Sequence, residues 1–382
     1  MKVYFDNAAT TPLAPEVLDA MLPMLRDDFG NPSSTHQFGR KTKSAIEMAR
    51  KSIAKLLHCS PMEICFTSGG TEADNMAIHG AIEELGVTRI ISSLAEHHAV
   101  LHTVEHCHAN CDVELEMVRL TELGHVDVDH LKELLANSDK KTLVALMHAN
   151  NEIGTMIDID KIGQICADNG ALFLSDTVQT MGHYPMDLSK TKVHFITGAA
   201  HKFHGPKGVG FLYVNKDVHV NAMILGGSQE RNMRAGTENI YGIVGMAKAL
   251  DLALEHVDEH RKHIQSIKDY MCQKLKEEIL GTEFNGCLEH SLYTVLNVRL
   301  PKTDKAQMLL FLLDIDGIAC SGGSACSSGS NQGSHVLRAI HADTSVPNIR
   351  FSFSRYSTKD EVDYVVAQLA KHLATVSSQV AS

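Results

Sequence analysis

Between residues 63 and 214 seven short apolar runs follow one another, most of them separated by helical stretches. The runs are EICFTS (63–68), TRIISS (88–93), VELEMV (113–118), TLVALMH (142–148), ALFLSD (171–176), VHFITG (193–198) and VGFLYV (209–214). Each has the length of a strand, and a strand covered on both faces reads as a continuous apolar run. Parallel neighbours need a long crossover between them, and stretches such as 72–85, 126–136 and 158–170 have helical spacing that provides one. The pattern predicts an α/β fold with a mainly parallel sheet covered by helices.

The flanks read differently. PEVLDAMLPML (15–25) is helical, and Ile46, Ala49, Ile53 and Leu56 mark one face of an amphipathic helix. From about residue 242 the texture becomes a long helical stretch, read as two helices or one bent one. YTVLNVRL (293–300), GIACS (317–321) and IRFSFS (349–354) follow as strands, with KAQMLLFLLD (305–314) and EVDYVVAQLAKHL (361–373) as helices. Thr358 and Glu361 form a capping box before the last of these. A chain of 382 residues is long enough for two cores. The expected division is a large α/β domain over 14–255 and a smaller α+β domain made of 1–13 plus 256–382. The glycine- and serine-rich stretch SGGSACSSGSNQGS (321–334) is expected to be a mobile loop of the smaller one.

A net charge of −11 argues against a dedicated nucleic-acid binder or a protein held to anionic membrane. No run reaches the roughly 18 apolar residues of a membrane span. The first residues lack the apolar core of a signal peptide, so a cytoplasmic location is expected. Nine scattered cysteines, an odd number, then read as reduced thiols. HCHANC (106–111) crowds two histidines and two cysteines, but no second ligand pair follows at zinc-site spacing, and no metal is expected.

AHKFHGPKGVG (200–210) places Lys202 between two of the apolar runs, just before three glycines and a proline. A lysine desolvated in such a turn is a nucleophile suited to a Schiff base with an aldehyde cofactor. A solvated turn lysine is the alternative, so companions decide. TSGGTEADN (67–75) joins a strand to a helix start, where free amides bind phosphate. FLSDTVQ (173–179) sets Asp176 at a strand end, placed to pair with a protonated ring nitrogen or to cap a helix. HANNEIG (148–154) offers Asn151 for a ring hydroxyl, and AEHHAV (95–100) offers His97 to lie on a ring and move protons. All four fall at C-terminal strand ends of one sheet, the edge where ligands gather.

These motifs, with GNPSSTH (30–36), RAGTEN (234–239), SGGSACSSGS and the terminal segments YFDNAATTPL (4–13) and IRFSFSRYSTKDEVDY (349–364), resemble the cysteine desulfurases of the NifS/IscS-like group. That group lies within the class V aminotransferase family of pyridoxal-phosphate enzymes, and the resemblance implies their fold type I. It implies that Lys202 binds pyridoxal 5′-phosphate, that Asp176 meets its ring nitrogen, and that Gln179 and Asn151 lie near its hydroxyl. His97 would stack on the ring, and Gly70, Thr71 and His201 would hold the phosphate. Thr237 would be a phosphate contact given by a neighbouring subunit, which implies a homodimer. Arg350 would grip the substrate carboxylate, and Asn31 would line the same pocket. Many relatives carry serine where this chain has Ala199, so one phosphate contact is expected to be missing or supplied by Thr197.

Of the nine thiols, Cys326 in the glycine–serine loop is expected to accept sulfur, because a tethered thiol can travel, whereas Cys320 is expected to be buried and inert. The implied reaction converts L-cysteine to L-alanine. Lys202 takes the Cα proton, and the Cys326 thiolate collects the sulfur as a persulfide for a protein acceptor such as an iron–sulfur scaffold. A selenocysteine lyase or aminotransferase on the same scaffold is a near rival, and a metal or iron–sulfur carrier a distant one.

Overall fold

The computed structural model describes residues 1–322 and 333–374. All seven apolar runs form strands of one sheet: β2 (Ile64–Thr67), β3 (Arg89–Ser92), β4 (Glu114–Met117), β5 (Thr142–Ala145), β6 (Leu172–Asp176), β7 (Phe195–Ala199) and β8 (Gly210–Val214). Their order across the sheet is β2-β8-β7-β6-β5-β3-β4. Pairing is parallel from β7 to β4, but β8 runs antiparallel to both of its neighbours. The exception has a local cause. β7 and β8 are joined by ten residues with no crossover helix, so the chain must turn back on itself.

Both faces are covered. α1 (Pro15–Arg26), α2 (Gln37–Leu56) and α7 (Ile240–Glu255) pack on one side, where Met21, Ile53, Met246 and Leu250 meet Phe66, Val144, Phe173 and Phe211. α3 (Gly70–Glu83) and α4 (His98–Asn110) cover the other, where Met76, Ala77, Val100 and Val104 meet Cys65, Leu143, Leu174 and Leu212. Successive strand residues thus enter opposite cores, which is why the runs are continuously apolar. β4 alone alternates, and as an edge strand it is only partly buried. α5 (Val128–Ala136) and α6 (Ile159–Asp168) complete the large layer.

The long helical stretch is two helices, α7 and α8 (Val257–Glu278), divided at His256. α8 and α11 (Lys359–Leu373) pack Ile264, Met271, Val362 and Leu369 into a separate core with Val3 and Phe5. Their sheet is antiparallel, with β10 (Val295–Arg299) between β9 (Glu283–Asn285) and β12 (Asn348–Ser352). β1 (Val3–Tyr4) pairs with β11 (Ile318–Ala319), which follows α9 (Leu309–Ile315). The expected capping box of Thr358 and Glu361 is present. β9 and the short α10 (His335–Ala339) were not foreseen, since neither is long enough to show a period. Among the described residues no helix is long and apolar enough to cross a membrane.

Candidate active site

The C-terminal ends of β2, β3, β5, β6 and β7 open on a cavity of about 270 Å³. Gly70, Thr71, His97, Asn151, Asp176, Gln179, His201, Lys202 and Arg350 all line it. Two of the expected residues do not. Asn31 is exposed, its side chain accepting the Ser33 N–H at 2.9 Å. Thr237 lines a second, smaller cavity with Ser68, Gly208 and Arg234. Cys326 lies outside the described residues.

Lys202 ends a single helical turn, Ala200–Lys202, that leaves β7. Its Nζ donates to the carbonyls of Ala8 and Ala9 at 2.5 and 3.0 Å. Those two residues arrive from the N-terminal segment, which is clamped to the lysine turn: the Thr11 N–H and hydroxyl both donate to the His201 carbonyl at 2.9 Å. The irregular segment DNAATTPL is therefore one wall of the cavity, which no periodicity could have signalled.

His97 is the N-cap of α4, and its Nδ1 accepts the Ala99 N–H at 3.1 Å. With Nδ1 committed as an acceptor, the neutral ring carries its proton on Nε2. Burial holds its pKa below the ordinary histidine range, against the pull of Asp176. His201 is likewise lowered, to about 4, by burial and by Lys202.

Asp176, the last residue of β6, is buried; its Oδ1 accepts the Val178 N–H at 2.9 Å, and the Thr197 hydroxyl stands 3.4 Å away. Thr197 is fully buried and does not line the cavity, so it does not make up for the hydroxyl absent at Ala199. The two asparagines of HANNEIG separate in role. Asn150 shapes the turn, since its Oδ1 accepts the N–H groups of Glu152 and Ile153. Asn151 instead faces the cavity.

Arg350, on β12, is 1% exposed. Its Nη1 donates to the Asn151 carbonyl at 2.9 Å and its Nη2 to Asp6 at 2.8 Å. Both terminal nitrogens are thus already engaged, while Nε has no partner among the described residues. A buried guanidinium N–H without an acceptor is costly, and a ligand carboxylate would satisfy it.

The cavity fits a phosphorylated aldehyde cofactor on the structure's own terms. α3 starts without a side-chain cap, so its first amides are open to an anion at the cavity wall. A methyl on Gly70 would fall 2.6 Å from Val178 Cγ2, so only glycine brings the backbone to that point. His201, Thr71 and Lys202 complete donors for a phosphate and an amine for an aldehyde.

Several site residues escaped sequence reasoning because buried charge leaves no pattern. Glu152 is fully buried and accepts the Ser334 hydroxyl at 2.6 Å, and His335 Nε2 lies 2.9 Å from the Glu96 carbonyl. Residues 334 and 335 are thus fastened to the cavity wall. Arg50 pairs with Glu230 through two bonds of 2.8 and 2.7 Å, and Glu230 also accepts the Phe66 N–H. This clip holds Glu230, Arg231 and Asn232, with φ of 44°, 57° and 67°, in the left-handed region. The same segment leads to Thr237, and Arg234 ties it to Glu72 at 2.9 Å.

Glu96 accepts from the Ser93 hydroxyl and the Met147 N–H, yet burial pushes its pKa to about 8. A carboxyl raised in the folded state favours folding below its unfolded pKa and loses that contribution as pH rises through 8. Relative to Glu96→Gln, the native protein is therefore expected to lose stability between pH 5 and pH 9, on the order of 3 kcal/mol. Denaturant titrations of both proteins at the two pH values measure it.

Among the described residues the cysteines form no cluster of metal-ligating groups. Burial raises the thiols of Cys59, Cys166 and Cys320 to about 12 and those of Cys107 and Cys272 to about 11. Cys320 is half-buried rather than buried as expected. In HCHANC, Cys107 enters the core while the His108 ring bonds the Val113 carbonyl.

The aminotransferase class-V family model matches residues 3–365. The cysteine desulfurase IscS of Dictyoglomus turgidum is 42% identical over 385 aligned positions, covering 98% of this chain and 96% of that one. The putative cysteine desulfurase IscS 1 of Bacillus subtilis is 41% identical, with 98% of each chain covered. A solved NifS-like protein superposes with a TM-score of 0.90 at 36% identity, over 98% of this chain and 99% of its own.

Proposed function

The chain belongs to the aminotransferase class-V family, and on that premise we propose that it is a pyridoxal 5′-phosphate-dependent cysteine desulfurase that converts L-cysteine to L-alanine. One observation carries the reading: an amine, a buried carboxylate, an imidazole, a guanidinium and an open helix start converge on one cavity. Relatives named cysteine desulfurase match the chain over nearly its whole length.

When bound, the cofactor supplies a reactive aldehyde and a ring that draws electrons from the substrate Cα. The chain's residues do the rest. Lys202 Nζ holds the aldehyde and later takes the Cα proton. Asp176 would meet the ring nitrogen, Gln179 and Asn151 would flank the ring hydroxyl, and the α3 amides, Gly70, Thr71 and His201 would hold the phosphate. His97, with its proton on Nε2, would lie over the ring and move protons at the substrate. Arg350 receives the substrate carboxylate, through the unpartnered Nε and by displacing Asp6 from Nη2. Ala8 and Ala9 wall off water on the lysine side.

Cys326 takes the sulfur. The Cβ–S bond of cysteine breaks, a C–H bond of alanine and an S–S bond at Cys326 form, and sulfur loses the two electrons that carbon gains. No outside oxidant is needed. The persulfide then serves a protein acceptor such as an iron–sulfur scaffold. The separate cores support the division into 14–255 and 1–13 with 256–382. Thr237, absent from its own chain's main cavity, supports a homodimer in which it would complete the partner's phosphate site.

Purified protein with pyridoxal phosphate, L-cysteine and a reductant is expected to release alanine and sulfide in equal amounts. Alanine without sulfide, or neither product, overturns the reading. Ala199 lies on the cavity wall beside the α3 start. Ala199→Ser adds a donor to a charged phosphate and is expected to tighten cofactor binding by roughly tenfold. Equilibrium titration of the cofactor-free protein measures it.

A further inference from the structure

Behind Asp176 lies a second carboxyl with no function in the reaction described above. Asp74, at the start of the second turn of α3, is 1% exposed and borders the same cavity. Its Oδ1 has no hydrogen-bond partner among the described residues. The Thr197 hydroxyl lies within hydrogen-bonding reach of its carboxyl and also stands 3.4 Å from Asp176 Oδ1. Thr197 is completely buried and sits beside Asp176 in the β6–β7 pairing.

A single hydroxyl proton cannot serve two carboxylates. If both aspartates were charged, one would face the lone pairs of Thr197 Oγ1 and the other carboxylate at once, with a bare oxygen left in the interior. A neutral acid removes the conflict: its O–H donates to Thr197 Oγ1, its second oxygen tolerates the missing partner, and the threonine proton turns to Asp176. Asp176 is the one to keep the charge, because it already accepts the Val178 N–H.

We propose that Asp74 is a positioning residue for Asp176, acting through the Thr197 hydroxyl to fix the rotation of the Asp176 carboxylate and hold the negative charge on it. The relay rests on the reading of Asp176 as the group that meets the cofactor's ring nitrogen. Burial, then the charge of Asp176, pushes the Asp74 carboxyl well above its ordinary range, with Glu96 adding in the same direction. The first aspartate is thus an acid and the second a base, separated by one hydroxyl. A fixed donor chain behind a catalytic carboxylate prevents it from swinging away when the ring is uncharged.

The test uses holoenzyme loaded with cofactor carrying nitrogen-15 in the ring. In Thr197→Val the ring-nitrogen resonance is expected to move toward the unprotonated position, with kcat lowered roughly 10- to 100-fold at near-native KM. Asp74→Asn, whose amide donates to Thr197 as the acid does, is expected to keep the native resonance. In the infrared it should remove one carboxylic-acid stretching band. Asp74→Ala should follow Thr197→Val. A native resonance in both Thr197→Val and Asp74→Ala overturns the proposal, as does an Asp74→Asn protein that loses no acid band. The infrared comparison needs neither cofactor nor turnover. It decides the state of Asp74 even if Thr197→Val does not fold, or if native protein takes up no cofactor and the proposed activity itself fails.

Discussion

Lys202→Ala is expected to lower cysteine turnover by about 10⁴-fold or more and to remove the yellow absorbance of the lysine-bound cofactor. The magnitude follows from two tasks on one atom: Nζ both anchors the aldehyde and takes the Cα proton. Among the described residues that border the cavity, Lys202 is the one amine. Arg350 cannot replace it, since a guanidinium keeps its proton throughout the working pH range. The variant should still fold. The side chain lies in a turn at the cavity edge, and its loss deprives the Ala8 and Ala9 carbonyls of a donor, which water can supply. Alanine formation and visible spectra of the two proteins measure the effect. Native absorbance in the variant would show that the cofactor is held elsewhere.

Cys326→Ala is expected to abolish sulfide release and persulfide formation while leaving cofactor absorbance unchanged. Exclusion carries much of the argument. None of the eight described cysteines borders the cavity. Six of them, Cys59, Cys65, Cys107, Cys166, Cys272 and Cys320, have thiols pushed upward by burial, which suppresses the thiolate that attack requires. Cys326 belongs to a stretch whose far end is anchored beside the cavity by Ser334 on Glu152 and His335 on the Glu96 carbonyl. Mass spectrometry after one turnover locates the added sulfur. Sulfur on any other cysteine, or native sulfide release by the variant, removes Cys326 from the reaction.

The two predictions differ in how far the chain alone supports them. Lys202, Asp176, His97 and Asn151 were legible because each sits at or just past the end of an apolar run, and strand ends on one edge of a parallel sheet converge whatever their spacing in sequence. Arg350 was found only through resemblance, since it lies inside a strand of the other core. Its engagement with Asp6 and Asn151 could not be foreseen. Asp74, Glu96 and Glu152 stood in motifs already noted, yet a buried acid and a solvated one are spelled alike. The direction of β8 was hidden for a related reason, because apolar runs state burial and not polarity.

The order of runs and helices was sufficient to determine the layered sheet and the edge where chemistry collects, because burial on two faces and crossover length are local properties of the chain. Three-dimensional packing decided the rest: which carboxyl is an acid, which asparagine turns inward, which guanidinium nitrogen remains unpartnered, and that the N-terminal segment walls the lysine. Those depend on desolvation and on hydrogen-bond partners hundreds of residues apart, such as Asp6 with Arg350 and Ala8 with Lys202. No local stretch carries that information, since a group's charge and direction are set by what the fold brings against it.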